Sequence, residues 1–178
     1  MKNEFIRTEN ILRFEEICQE LESPESLIGP SMAMVYGPAG RGKSLAAYRA
    51  AVQTEAVYVP PMIIRTPLMM LRDICFELAG QRPGRTDGCL SLIRDEMRKR
   101  RRLVLVDEAD LVDIRVLETL RNLNEWTSAP ILLIGETGLP ARVESRGRIG
   151  SRIRLRQEFG PVTQADVAVF YKRALGQE

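Results

Sequence analysis

Gly37-Pro38-Ala39-Gly40-Arg41-Gly42-Lys43-Ser44 decides the reading of this 178-residue chain. The stretch fits the phosphate-loop pattern G-x-x-x-x-G-K-[ST] at every fixed position. Each fixed position has a chemical reason. Glycines let backbone N–H groups curl around phosphate oxygens without a side-chain clash. The helix that follows turns its positive end toward the anion. Lys43 is expected to reach the β- and γ-phosphates of ATP, and Ser44 to offer its hydroxyl to Mg2+. Leu45 completes the set of expected nucleotide contacts. The bland alternative is a glycine-rich turn ahead of a helix. The context answers it, because Met32 to Tyr36 is a short apolar run suited to a buried strand and Ser44 to Val52 reads as a helix.

A second signature lies downstream, at Leu103-Val104-Leu105-Val106-Asp107-Glu108-Ala109-Asp110. Four apolar residues bury a strand and deliver Asp107 to its end. Asp107 is expected to hold Mg2+, directly or through water, and Glu108 to polarise the attacking water. The structural alternative is a carboxylate cap for the next helix, and Asp110 fits that role. The adjacent Asp-Glu pair favours attack by water over transfer to a bound alcohol, which ranks an ATPase above a small P-loop kinase. A two-motor helicase does not fit in one domain of this length.

Between these motifs the pattern alternates. Thr8 to Leu21 reads as an amphipathic helix and Ala56 to Val59 as a strand. Thr66-Pro67 starts a helix that Gly80 stops near Leu78. Gln81 to Gly88 reads as a polar loop, and Cys89 to Arg100 and Arg115 to Trp126 as helices. Pro130 to Ile134 is a strand, Ile153 to Arg156 a weak fifth strand, and Thr163 to Leu175 a last helix capped by Thr163. Strands alternating with helices predict an α/β domain with a mostly parallel sheet, whose ligands bind beyond the strand C-terminal ends. Residues 1–30 read as an N-terminal helix and lead-in, and 31–178 as the nucleotide-binding core.

Composition adds limits. The formal net charge is only +2, so charge alone does not announce nucleic acid. Its distribution is uneven: Arg98 to Arg102 is an unbroken basic run, and Arg142 to Arg156 holds six arginines around Glu144. The run ends a helix, where cations are favoured; the functional alternative is contact with DNA phosphates. Three scattered cysteines and no histidine argue against a zinc site or a disulfide framework. The N-terminus is polar and charged, without the apolar core of a signal peptide, and no apolar run reaches membrane-spanning length. The expectation is a cytoplasmic protein with no membrane partner.

With the motifs placed, the chain resembles the AAA+ ATPases, and within them the Mu B-like transposon target-selection ATPases. The resemblance runs from Phe5-Ile6-Arg7-Thr8 through Y-G-P-A-G-R-G-K-S, Phe76-Glu77-Leu78 and L-V-L-V-D-E-A-D. It continues through Val116-Leu117-Glu118, Leu120-Arg121 and Ile134-Gly135. It ends in Arg148-Ile149-Gly150-Ser151-Arg152-Ile153 and Ala165-Asp166-Val167. The resemblance implies a three-layer core with a five-stranded sheet in the order 5-1-4-3-2. It also implies an ATP-dependent oligomer, filament or ring, that captures double-stranded target DNA and stimulates a transposase. Arg152 matches the arginine finger that reaches a neighbouring subunit's γ-phosphate, with Arg148 in reserve and a plain surface charge as the alternative. The family commonly has Asn just after Gly135, whereas this chain has Glu136 and then Thr137. A carboxylate there would repel the γ-phosphate, so either Thr137 orients the water or hydrolysis is weak. The N-terminal helix-turn-helix of the group and the helical lid after the core are not expected here, as in a minimal or truncated chain. A helicase- or clamp-loader-type AAA+ ATPase and a non-hydrolysing, nucleotide-gated DNA scaffold are the rival readings.

Overall fold

The computed structural model describes residues 7–62 and 65–174, the last three of these by backbone alone. The resemblance at Phe5-Ile6 and the expected helix end at Leu175 lie outside the described residues. Five strands, β1 (Met32–Tyr36), β2 (Val57–Val59), β3 (Val104–Val106), β4 (Ile131–Gly135) and β5 (Ile153–Glu158), form one sheet in the order β2-β3-β4-β1-β5. Every described pairing is parallel. Read from the other edge, this is the expected order 5-1-4-3-2.

Strand side chains alternate between faces, and the two faces carry different helices. On one face, Met32, Met34, Val57, Val59, Val104, Val106, Ile131 and Leu133 pack against α3 (Pro67–Ala79), α4 (Thr86–Lys99) and α5 (Ile114–Thr127). On the other, Ala33, Val35, Leu103, Leu105, Leu132 and Ile134 meet α1 (Glu9–Glu22) and α2 (Lys43–Thr54). A central strand buried on both faces reads as a continuous apolar run, which is why L-V-L-V stands before Asp107.

Local sequence explains the ends of several helices. Thr66 Oγ1 accepts from Met69 N at 3.2 Å, Pro67 takes the first turn, and Gly80 closes α3 in the left-handed region at φ 66°. Thr163 and Asp166 form a reciprocal capping box at the start of α8 (Gln164–Ala174), with Thr163 N donating to Asp166 Oδ2 at 2.9 Å and Asp166 N to Thr163 Oγ1 at 3.1 Å. Helix α4 begins at Thr86, three residues before the expected Cys89, because Thr86-Asp87-Gly88 forms its first turn. Two short α-helices had no counterpart in the sequence pattern: α6 (Leu139–Glu144) and α7 (Gly147–Gly150). Their arginines masked the apolar anchors Leu139, Val143 and Ile149, all buried. Strand β5 extends to Glu158, two residues beyond its expected end. Arg154, Arg156 and Glu158 point outward from it, as charges on an edge strand should.

The basic run has a structural destination. Arg101 donates to the Ser128 carbonyl at 2.9 Å, the Leu21 carbonyl at 3.1 Å and Ser26 Oγ at 2.8 Å. Arg102 donates to the carbonyls of Glu55 at 2.6 Å and Glu77 at 3.1 Å. The four carbonyl acceptors stand at the C-terminal ends of α1, α2, α3 and α5, where helix carbonyls lack intrahelical partners. Lys99 pairs with Glu96 and Arg100 with Glu55. The shorter loop that remains ahead of α4, 81–85, is likewise tied down: Arg82 reaches Asp73 and lies 4.5 Å over the Phe76 ring.

Candidate functional site

The site forms where β1, β3 and β4 end. Gly37 leaves β1 at φ 151°, and a Cβ there would stand 2.6 Å from the Phe159 carbonyl. Only glycine lets the chain pass β5 at that point. Gly40 and Gly42 follow at φ 75° and 89°, and α2 starts at Lys43. Lys43 is 8% exposed, and its Nζ donates to the carbonyls of Gly37 and Pro38 at 2.8 Å each. Burial pulls this ammonium below the usual lysine range, while Glu136, Asp107 and Asp110 act in the opposite direction.

The acidic segment is fixed from both sides. Asp107 N donates to Val59 O of β2 at 3.1 Å, and Ala109 N to Ile134 O of β4 at 2.8 Å. Asp107 is buried; its Oδ1 accepts Glu108 N at 2.9 Å and its Oδ2 accepts the Tyr58 hydroxyl at 2.8 Å. Burial first, and then the neighbouring Asp107 carboxylate, push the Tyr58 phenol well above its ordinary range. Glu108 adopts φ 49°, the left-handed region that non-glycine residues rarely occupy. Such backbone strain clusters at functional sites.

Asp110 corrects one reading. It does not cap the next helix; Asp113 does, accepting Arg115 N at 2.8 Å. Asp110 Oδ1 instead accepts Glu136 N at 2.9 Å. A Cβ on Gly135 would overlap that carboxylate oxygen, so glycine is what lets the end of β4 meet the acidic segment.

A cavity of about 370 Å³ results, lined by Ala39 to Leu45 together with Asp107, Glu108, Asp110, Gly135 and Glu136. Two cations, Arg41 and Lys43, face four carboxylates within it. Pro38 contributes its carbonyl to Lys43 rather than lining the space. Thr137 is exposed in the turn after β4 and is not among the lining residues; Glu136 is. Arg152 lies elsewhere. It precedes β5, whose Ile153 pairs with Met32 at the start of β1. The length of β1 therefore separates it from the phosphate loop, about 16 Å at strand rise. Its guanidinium pairs with Glu125 of α5, which also holds Arg121. Arg148 is exposed on α7.

The cradle suits a nucleotide phosphate, with a loop of N–H groups, a lysine at its base and a helix N-terminus. Among the described residues no group of three or more carboxylates is placed to hold a metal ion by itself, so a divalent ion in this cleft would also draw ligands from the phosphates it accompanies. Residues 28–143 match the family model described as AAA domain, which spans the cradle, the acidic strand and β4. The chain belongs to this AAA family. Among curated proteins, the AAA chain is similar to the ATP-dependent target DNA activator B of Escherichia phage D108 and to that of Escherichia phage Mu. Each is 35% identical over 150 residues, covering 77% of this chain and 47% of the relative. The chain thus spans about half the length of the curated relatives it matches. Among solved structures, it resembles Cdc6p from Pyrobaculum aerophilum with a TM-score of 0.69, at 18% identity over 98% of this chain and 52% of that one. It also resembles the Aeropyrum pernix ORC2 protein, with a TM-score of 0.66 at 16% identity over 99% of this chain and 55% of that one. These likenesses concern the fold. Among the described residues, no helix is long and apolar enough to cross a membrane.

Proposed function

We propose that this chain binds Mg-ATP in the cleft, hydrolyses it when a second copy completes the site, and works on double-stranded DNA as a regulator of transposition. The observation that carries the nucleotide reading is the convergence of Lys43, Ser44, Asp107 and Glu108 on one cavity, although they are up to 65 positions apart in sequence. Gly37 to Leu45 would cradle the phosphates. Ser44 and Asp107 would hold Mg2+, which supplies charge neutralisation at the β- and γ-phosphates. Glu108 would orient and polarise water. We assign the position beyond β4 to Glu136 rather than Thr137, because Glu136 borders the cleft.

The position of Arg152 supports an oligomer. Arg152 stands at the far end of the sheet from its own phosphate loop, so any contact it makes with a γ-phosphate must be in a neighbour. Its present partner Glu125 would be exchanged for that phosphate on assembly. DNA and a transposase as partners rest on the family resemblance and on the relatives described as target DNA activators. Electron microscopy of the chain with Mg-ATP and duplex DNA tests the reading. ATP-dependent assemblies along the duplex are expected, and a chain that stays monomeric and leaves DNA bare would overturn it.

One observation favours a second reading. The Glu136 carboxylate borders the space where a γ-phosphate would lie, and like charges there oppose each other. A nucleotide-gated scaffold that binds ATP and DNA without turnover would show both associations and no phosphate release in a coupled assay.

A further inference from the structure

Tyr58 is the middle residue of β2, and its side chain stands on the α2 face of the sheet. Its hydroxyl donates to Asp107 Oδ2 at 2.8 Å, while Glu108 N occupies Oδ1 at 2.9 Å. The buried carboxylate is therefore gripped by one donor on each oxygen, and its rotation is fixed from two directions. The Tyr58 ring also meets the Tyr48 ring edge to face, with centroids 6.1 Å apart. Tyr48 lies on α2, the helix that begins with Lys43 and Ser44. One side chain thus connects the strand carrying Asp107 to the helix carrying the phosphate loop.

The chemistry of the donor matters. A lysine or arginine in this place would neutralise Asp107 and compete with a cation for it. A phenol orients the carboxylate and leaves its charge in place. Outer partners of this kind set the direction of a ligand and the affinity of the ion it serves.

We infer that Tyr58 is a positioning residue for the cation: its hydroxyl holds Asp107 toward the phosphate loop, so that the Mg2+-dependent share of nucleotide affinity depends on it. The inference rests on the reading of the cleft as a Mg-ATP site. Titration of wild type and Tyr58→Phe with a fluorescent ATP analogue, across a Mg2+ series and in EDTA, separates the two. Tyr58→Phe should need about tenfold more Mg2+ for half-maximal binding while matching wild type in EDTA. Tyr48→Leu, which loses the ring contact and keeps the hydroxyl, should keep the wild-type Mg2+ midpoint. Equal midpoints for wild type and Tyr58→Phe would overturn the inference. So would a parallel loss in Mg2+ and in EDTA with a lowered melting temperature, the mark of a merely structural residue. If wild type itself shows no Mg2+-dependent binding, the cleft reading fails and the inference falls with it.

Discussion

Both ends of the sheet carry charged side chains and use them differently. At the C-terminal ends of β1, β3 and β4, Lys43, Glu108 and Glu136 border an open cleft. At the N-terminal ends, Arg101 and Arg102 are turned onto backbone carbonyls of four helices. The parallel fold imposes this division. Helices between parallel strands run back against them, so helix N-termini collect at one end and C-termini at the other. The first end presents spare N–H groups and attracts phosphate; the second presents spare carbonyls and attracts arginine. A basic run therefore carries no function until its partners are known.

Breaking each end separately should sharpen the contrast. The largest effect is expected at Arg152, where substitution by Ala should lower ATP turnover of the assembled protein by about 10³-fold. ATP binding by the single chain should stay within about twofold, since the lost Glu125 pair is part-exposed and worth under about 1 kcal/mol. A phosphate-release assay beside a nucleotide titration checks both. At the same end of the sheet as Arg152, Arg101→Ala should destabilise the fold by about 2–3 kcal/mol in urea denaturation, because several carbonyls lose a charged donor together. Its nucleotide affinity should not change. A smaller effect belongs to Glu136→Asn, which removes one carboxylate from the cleft and should tighten ATP by about tenfold; unchanged affinity would place Glu136 outside phosphate range. The smallest belongs to Arg98→Ala, an exposed position, where stability should move by less than about 0.5 kcal/mol.

Much of this architecture is legible in sequence because its signals are local. The phosphate loop is contiguous, Asp107 follows its own strand, and Thr66-Pro67 with Gly80 brackets α3 within fifteen residues. What escaped depends on distant partners. Asp110 looked like a helix cap until Glu136, 26 positions away, was seen as its donor. Arg101 looked like a cation ending its own helix or a DNA contact, yet one of its acceptors, Leu21, is 80 positions away. The choice between Glu136 and Thr137 turns on the backbone path out of β4, which residue identity does not encode. Tyr58 carries no motif; only the β2–β3 pairing brings its hydroxyl to Asp107. Helices α6 and α7 were hidden by brevity, since four to six residues give no helical period to read.

The central claim is that the cleft holds a nucleotide through Lys43. Equilibrium titration of a fluorescent ATP analogue in Mg2+, against wild type and Lys43→Ala, tests it most directly. Saturable binding by wild type and a loss of affinity of about 100-fold or more in the variant is the expected result, equivalent to about 3 kcal/mol. Equal affinity of the two proteins, or no binding by wild type, would contradict it.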